Sequence, residues 1–254
     1  MARLGLGVGL TRRGGGGGAS YFWDAFPQVQ RLHDAQNADS LTNAVGAAVT
    51  SWVDASPNSL AAYTQTGGTG VTVAASGGLK YVQGSSTTGH LDAASNTNLR
   101  GSELWLILKT SSDTSDFAAG LSGERIEFRS GAGVVRIYFG ATLYGATFQE
   151  SNTGVLPIET ETWHTVRIIF AETKFEIWIN QSLHRTITSA FSGTPSDAFS
   201  LSRLLANAGG VASDAALALV AVVPAVGETG ALTTTQISSI WTHINAQRDT
   251  LSGA

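Results

Sequence analysis

Short apolar or alternating segments follow one another along the chain from about residue 48 to residue 224. Clusters of Gly, Ser, Asn and Asp separate these segments. Alternation of apolar and polar residues predicts strands with one buried face, and short continuous apolar runs predict strands that are buried on both faces. This pattern is typical of a β-sandwich rather than of alternating strands and helices.

Two continuous apolar runs predict central strands. They are residues 104–108, in ELWLILKT, and residues 216–223, in ALALVAVV. Both runs are apolar on both faces of an extended chain, which suits strands inside a sandwich. Weaker segments predict further strands at residues 29–33, in RIEFRS (with Ile126 and Phe128 on one face), in VVRIYFG and in ATFQE.

The segment from residue 166 to residue 188 predicts a three-stranded antiparallel unit. Its apolar residues alternate on both sides of the short polar turn 171–174: Val166, Ile168 and Phe170 before it, and Phe175, Ile177 and Ile179 after it. This alternation predicts a β-hairpin. Asn180 and Gln181 predict a second tight turn, because asparagine tolerates the left-handed backbone conformation that such turns need.

One helix is predicted, at the C-terminal end of the chain. Apolar residues recur there at helical spacing, namely Ile237, Ile240, Trp241 and Ile244. Thr233 and Gln236 have the spacing of a capping box. The sequence therefore predicts a helix that packs one apolar stripe against the sandwich.

The first eighteen residues, MARLGLGVGLTRRGGGGG, form an alternating apolar segment that ends in glycines. In an extended strand the apolar side chains share one face, and the glycines leave the other face open to a second backbone. The apolar residues are Leu4, Leu6, Val8 and Leu10, and Arg12 and Arg13 follow them. We expect residues 1–20 to be an extended anchoring arm with a glycine tether, and residues 21–254 to be one domain. The alternative is a disordered tail without a role.

Composition narrows the classes of ligand. Apolar residues make up 43 % of the chain and charged residues only 13 %, so Ser, Thr, Asn, Gln and Gly must build much of the surface. The formal net charge of −4 argues against nucleic acid as a ligand, because nucleic-acid-binding domains are typically basic. The chain has no cysteine, and no apolar run approaches the ~20 residues that span a bilayer.

Several segments, in this order, resemble the concanavalin A-like lectin/glucanase superfamily, and in particular the laminin G-like domains of bacteriophage structural proteins. They are RLHDAQNADSL, VTSWVDASPNS, TWHTVRIIF, FEIWINQSL and a final helix that opens T-x-x-Q. In the second segment Trp52, Asp54, Ser56 and Asn58 match the family pattern, and Pro57 replaces a glycine. The resemblance implies an all-β, concanavalin A-like jelly-roll sandwich of two antiparallel sheets with one C-terminal helix and an extended N-terminal arm.

The arm is similar to the N-termini of some phage virion proteins. With the domain resemblance, this implies a non-enzymatic virion protein: a decoration, fibre or tail-associated adhesion module that is anchored by its arm and displays a lectin-like domain. The expected partners are other virion proteins, a second copy of the chain and a cell-surface glycan, with no nucleic acid and no membrane span. The expected location is the virion, assembled in the host cytoplasm.

Two other function classes compete with this expectation. A secreted carbohydrate-binding module, the main alternative, would carry an export signal, whose pattern residues 1–18 do not have. A degenerate glycoside hydrolase would carry paired carboxylates on one face of a strand. The nearest pattern is Glu124 and Glu127, which a spacing of three places on opposite faces of a strand. We therefore expect no catalytic residues.

Calcium is the one cofactor that the resemblance suggests. Laminin G-like and lectin domains often hold calcium at the rim through carboxylates and carbonyl groups. Asp54 and Asn58 are candidate ligands, with Asp34 near them in the same family motif. The alternative is that Asp54 and Asn58 hydrogen-bond the backbone of a turn, as these residue types commonly do.

Aromatic side chains are the candidate glycan contacts, because sugar rings stack on exposed aromatic faces. Trp178 lies out of register with Ile177 and Ile179, so it points away from the core that those residues build. Tyr81 and Tyr144 are further candidates. The alternative for Trp178 is that a neighbouring loop or subunit covers its ring.

Overall fold

The computed structural model describes residues 20–85, 88–110, 125–129, 134–138, 159, 161–171, 174–188, 200–206 and 213–253. These residues form a 3₁₀-helix, Phe22–Ala25, and an α-helix, α1, Thr234–Ser252. The strands are β1 Arg31–Asp34, β2 Ser51–Trp52, β3 Tyr63–Thr66, β4 Thr72–Ser76, β5 Leu79–Gln83, β6 His90–Asn98, β7 Ser102–Lys109, β8 Arg125–Arg129, β9 Val134–Tyr138, β10 Trp163–Phe170, β11 Lys174–Ile179, β12 Ser182–Thr188, β13 Ser200–Leu204 and β14 Ala216–Pro224.

The strands pair into two antiparallel sheets and one two-stranded ribbon. The large sheet has the order β12-β11-β10-β7-β14-β5-β4, and β1 pairs with β14 outside this path. The small sheet has the order β13-β6-β3-β2, and the ribbon is β8-β9. The prediction of an all-β sandwich of two antiparallel sheets with a C-terminal helix is confirmed for the described residues.

The two apolar runs lie at the centre of the large sheet, as predicted, and the structure pairs them with each other. They lie in β7 and β14, where Leu106 pairs with Val220. The strand predicted at residues 29–33 is confirmed, but it begins at Arg31. Val29 donates its N–H to the carbonyl oxygen of Phe26 (3.1 Å), so its backbone belongs to the turn that precedes the strand. The segments RIEFRS and VVRIYFG contain β8 and β9, whereas ATFQE lies outside the described residues.

Apolar side chains cover both faces of the large sheet. Leu106, Ile168 and Phe175 belong to the core between the two sheets. On the outer face Trp105 belongs to a second cluster, where its ring meets that of Trp241 of α1 edge to face at 4.8 Å. Because both faces are buried, β14 and the centre of β7 consist of continuous apolar residues. β10 is buried throughout but also carries His164, Thr165 and Arg167.

The small sheet buries only one face. Along β6 the buried residues Leu91 and Ala93 belong to the core between the sheets, whereas Ala94, Asn96 and Asn98 are exposed. Side chains of a strand alternate between its two faces. The outer face of the small sheet therefore presents small and polar groups to solvent.

Arg31 connects the two sheets from inside the sandwich. It is fully buried, and its guanidinium group lies 4.5 Å from the centre of the Tyr63 ring. Its hydrogen bonds reach the carbonyl oxygens of Ala61, Ser95 and Leu201, Thr97 Oγ1 and His33 Nε2. Each nitrogen of the buried cation thereby has an acceptor, which a buried charge requires.

The predicted hairpin, tight turn and helix are all confirmed. Phe170 pairs with Phe175 across β10 and β11. Asn180 and Gln181 have φ values of 48° and 70°, the positive pair that a two-residue hairpin turn favours. Thr233 and Gln236 form the capping box of α1, and Gly253 ends the helix in the left-handed conformation. Among the described residues, no helix has the length and apolar character to cross a membrane.

Candidate functional site

A polar groove of about 560 Å³ lies at one end of the sandwich. Its walls come from both sheets: the residue before β1, the turn before β3, the end of β6, the turn between β6 and β7, and the loop after β14. The lining residues are Gln30, Asn58, Leu60, Asn96, Thr97, Asn98, Arg100, Gly101, Ser102, Pro224, Glu228 and Thr229. Carboxamides, hydroxyls and two opposite charges dominate this surface.

Hydrogen bonds among the lining residues hold the walls of the groove together. Asn58 Nδ2 donates to the carbonyl oxygen of Gln30 at 3.0 Å. Ser102 Oγ lies 3.2 Å from both Gln30 Oε1 and the carbonyl oxygen of Asn98. Asn98 Oδ1 accepts from the backbone N–H of Arg100 at 2.9 Å. The end of β6, the turn that follows it and the start of β1 are thus held together.

At Gly101 the turn between β6 and β7 lies close to the loop after β14. Its φ is +69°, and a Cβ atom at this position would lie 3.5 Å from the carboxyl carbon of Glu228. Its carbonyl oxygen accepts from the N–H of Ala225 at 2.8 Å. The N–H of Val226 donates to Glu103 Oε1 at 3.3 Å. The loop that carries Glu228 is therefore attached at two consecutive backbone positions.

Several polar groups in the groove have no partner within the described part of the chain. The side chains of Asn96, Glu228 and Thr229 make no hydrogen bond there, and all three residues are exposed. An amide both donates and accepts, a carboxylate accepts, and a hydroxyl does both. The groove can therefore offer donors and acceptors to a ligand without breaking bonds of the fold.

Asp54, one of the candidate calcium ligands, organises a turn. It is buried, and Oδ1 accepts from the N–H groups of Leu32 (2.8 Å) and Ser56 (2.9 Å). Oδ2 accepts from Ser56 Oγ (2.9 Å) and from the N–H of Leu60 (2.8 Å). These are the turn bonds that the sequence left as the alternative to metal binding. Asn58 lies in the same turn and lines the groove.

Asp34 lies at the end of β1, apart from the groove. Its Oδ2 accepts from the Tyr21 hydroxyl at 2.7 Å, and its Oδ1 accepts from the N–H of Gln36 at 2.8 Å. Burial raises the pKa of the Asp34 carboxyl, although both hydrogen bonds oppose this. Burial and the nearby Asp34 carboxylate also raise the pKa of Tyr21. In the described residues no three His, Asp or Glu side chains form a cluster that could hold a metal ion.

Trp178 and Tyr81, the candidate aromatic residues that the structure describes, lie outside the groove. Trp178 is half-buried against the outer cluster of the large sheet, and its ring centre lies 5.9 Å from the Arg167 guanidinium carbon. Tyr81 packs against the same cluster and meets Trp163 edge to face at 5.0 Å. Trp178 thus points away from the core between the sheets, as predicted, but neighbouring groups of the same chain cover part of it. Glycan contact by either residue stays a prediction.

The remaining sequence-based candidates lie outside the described residues. They are Tyr144 and the arm residues Leu4, Leu6, Val8, Leu10, Arg12 and Arg13. Of the carboxylate pair considered for catalysis, Glu124 is also outside, and the side chain of Glu127 is not described. The arm and its anchoring role stay predictions.

Sequence reasoning found Asn58 but missed the rest of the groove. The segment SNTNLRGS, residues 95–102, supplies Asn96, Asn98, Arg100 and Gly101. Its signal is a run of amides and hydroxyls between two strands. In the sequence, that run cannot be distinguished from an ordinary polar turn. Only the fold places Glu228, more than a hundred residues later, beside Gly101.

Comparison with solved structures identifies the same architecture in other proteins. Domain 4 of a GH43 extracellular arabinanase from Geobacillus stearothermophilus, solved in complex with arabinotriose, has a TM-score of 0.55 and 16 % identity, and the match covers 84 % of this chain and 98 % of that domain. A mutant Trypanosoma rangeli sialidase that displays trans-sialidase activity has a TM-score of 0.54 and 12 % identity over 87 % of this chain. The botulinum neurotoxin serotype D binding domain has a TM-score of 0.51 and 13 % identity over 85 % of this chain.

The matches differ in how much of each protein they span. This chain spans 33 % of the sialidase and 52 % of the toxin binding domain. Its sequence matches no protein-family model and no curated protein. Identities this low show the fold and nothing finer. The chain therefore has a β-sandwich fold of the kind found in lectin-like and glycosidase-associated domains.

Proposed function

We propose that this chain is a non-catalytic carbohydrate-binding domain whose glycan ligand lies in the polar groove. The observation that carries the proposal is the chemistry of the groove, where unpartnered carboxamide, carboxylate and hydroxyl groups of Asn96, Glu228 and Thr229 converge. Sugar hydroxyls need preplaced donors and acceptors of this kind. The volume of about 560 Å³ lies within the roughly 300–1,000 Å³ of small-molecule sites.

The single carboxylate among the described lining residues favours binding rather than hydrolysis. Glycoside hydrolysis uses two carboxyl groups that flank the scissile bond. Among the described residues that line the groove, Glu228 is the one carboxylate. The order of the sequence motifs and the two-sheet fold also support a laminin G-like member of the concanavalin A-like superfamily.

The binding proposal is tested with defined glycans. Arabinotriose, the ligand in the matched arabinanase domain, is the first probe in calorimetric titrations, followed by a panel of soluble polysaccharides in affinity electrophoresis. Asn96→Ala and Glu228→Gln should each weaken binding about fivefold, the effect of losing roughly one hydrogen bond. The control Asp24→Asn removes an exposed carboxylate outside the groove and should bind normally. Absence of binding to every glycan, or unchanged binding by both groove variants, would contradict the proposal.

We also propose that residues 1–20 anchor this domain to a larger particle as a virion decoration, fibre or tail-associated adhesion module. The regular alternation of Leu4, Leu6, Val8 and Leu10 with glycines favours this second proposal. An arm of this pattern can add a strand to a partner sheet, and Arg12 and Arg13 can pair with acidic groups of the partner. A symmetric assembly of several copies fits such a role, and a secreted module with a passive tail is the alternative.

Truncation separates the arm from the domain. A chain that lacks residues 1–18 should retain the circular dichroism spectrum of the full chain but lose its self-association in light scattering or its incorporation into the particle. The Leu6→Asp variant makes the same test with one change on the apolar face. If the truncated and full-length chains have the same mass and incorporate equally, the anchoring role is wrong.

A further inference from the structure

We infer that the ligand is a linear, uncharged polysaccharide that binds along its chain, on a polar track that continues the groove over the outer face of the small sheet. The track consists of the outward-facing residues Asp92, Ala94, Asn96 and Asn98 of β6 with Thr64 and Thr66 of β3. This inference rests on the proposed function and specifies its substrate class. Asn96 and Asn98 also line the groove, whereas the other four residues of the track do not.

Continuity with the groove is the first argument. Asn96 and Asn98 line the groove, and alternation places Ala94 and Asp92 on the same face of the same strand. At about 3.3 Å per residue the row from Asp92 to Asn98 is roughly 20 Å long. A polysaccharide that begins in the groove and extends along β6 would therefore contact this strand through several consecutive sugar residues.

The track is exposed to solvent, and the side chain at its middle is small. Ala94, at its middle, is exposed and projects only a methyl group. On the neighbouring strand Thr64 and Thr66 are also exposed, and they pair with Asp92 and His90 in the sheet register. Such a face lets a chain lie flat and offers hydroxyls beside it. Among the described residues, α1 and the outer cluster cover the centre of the outer face of the large sheet.

The charges on the track neutralise one another. Arg203 donates to both carboxylate oxygens of Asp92, at 2.6 and 3.1 Å, and His90 Nε2 lies 3.1 Å from Asp92 Oδ2. Polyanionic chains are attracted by clusters of unpaired basic side chains, which the described part of this face does not present. A neutral chain that hydrogen-bonds to amides and hydroxyls fits this surface.

The test measures how affinity depends on the length of the ligand. Arabinan, xylan, cellulose and chitin oligosaccharide ladders, from the dimer upward, are titrated calorimetrically against the full chain. We expect affinity to rise with length until the ligand covers both groove and track. Ala94→Leu puts a larger aliphatic side chain in the middle of the track and should weaken binding of long oligomers about tenfold, the effect of losing roughly two hydrogen bonds. It should leave short oligomers unaffected.

Two further variants test whether the loss of affinity comes from the track. Ala25→Leu, at an exposed position of the 3₁₀-helix outside the track, adds the same side chain and should change nothing. Thr66→Val removes one hydroxyl with little change of shape and should weaken only the long oligomers. Affinity that is independent of length and insensitive to Ala94→Leu, yet weakened by Glu228→Gln, would overturn the track while retaining the groove. Absence of binding to any probe would overturn both proposals.

Discussion

Strands β6 and β7 follow one another in the chain, yet they meet different environments. In β7 every residue from Ser102 to Leu108 is buried, whereas β6 alternates between buried and exposed residues. The difference follows from what covers each sheet. Helix α1 and the N-terminal aromatic residues cover the outer face of the large sheet, and the outer face of the small sheet meets solvent. Side chains on the outer face of the large sheet are therefore buried, whereas those on the outer face of the small sheet remain accessible to solvent.

The two sheets also place ion pairs in opposite environments. On the outer face of the large sheet Arg167 and Glu103 pair through two bonds, of 2.7 and 2.9 Å, with side chains that are 6 % and 0 % exposed. On the outer face of the small sheet Arg203 and Asp92 pair with similar geometry but are 20 % and 24 % exposed. Because a broken buried pair leaves an uncompensated charge, we expect very different costs for disrupting the two pairs.

Glu103→Ala should have the largest effect. It would leave Arg167 buried without its partner and would remove acceptors from Trp105 Nε1 and the N–H of Val226. We expect the free energy of unfolding to fall by about 3–5 kcal/mol, as measured by urea denaturation. Glu103→Gln, which keeps an acceptor, should cost less. A loss below about 1 kcal/mol for Glu103→Ala would contradict the view that this face is closed to solvent.

Gly77→Ala should disturb the cover of the large sheet. A Cβ atom at Gly77 would lie 2.1 Å from the carbonyl oxygen of Thr250 in α1. Gly78 is the matched control, because it also has a positive φ but nothing lies within 4 Å of its Cβ position. We expect about 1–2 kcal/mol of backbone strain in both variants and about 1–3 kcal/mol more in Gly77→Ala from the clash. Equal thermal midpoints for the two variants would show that α1 does not pack there.

The sequence predicted most reliably those elements whose pattern is set by burial of two faces or by local turn chemistry. The structure confirms both apolar runs, the hairpin of β10 and β11, the Asn180-Gln181 turn and α1. Strand β6 was not predicted individually, because HLDAASNTN contains few apolar residues and its buried face includes Ala93 and Thr97. A strand with one solvated face and small core residues has a weak pattern of alternation.

Most of the candidate site could not be predicted from local sequence patterns, because its residues come together only in the folded chain. Asn58 was found through the family motif, whereas Asn96, Arg100 and Glu228 meet only because β6, β7 and β14 converge at one end of the sandwich. Trp178 was chosen for its alternation with Ile177 and Ile179, which placed it on the correct face. What that alternation could not show is that the outer cluster and Arg167 already occupy much of that face.

Acid should weaken the core between the sheets through His33. Burial, and then the charge of Arg31, lower the pKa of His33 well below 6.5, so below about pH 6.5 the unfolded chain binds a proton that the folded chain does not. Stability is therefore complete above that pH and falls as the pH drops towards the folded pKa, by about 1.4 kcal/mol per pH unit for this histidine. Urea denaturation between pH 7 and pH 5 should show a shallower slope for His33→Gln. Equal slopes would mean that His33 is not the group responsible.

Asp92→Asn should have the smallest effect on stability. The Asp92–Arg203 pair joins neighbouring strands of the small sheet, but water reaches both side chains, so the lost attraction is largely replaced by hydration. We expect a cost below about 1 kcal/mol, and a coupling energy of similar size in a double-mutant cycle with Arg203→Gln. A coupling of 3 kcal/mol or more, on the scale of the buried pair, would mean that this face is covered in solution. The contrast between a closed and an open sheet face, on which the polar track depends, would then be lost.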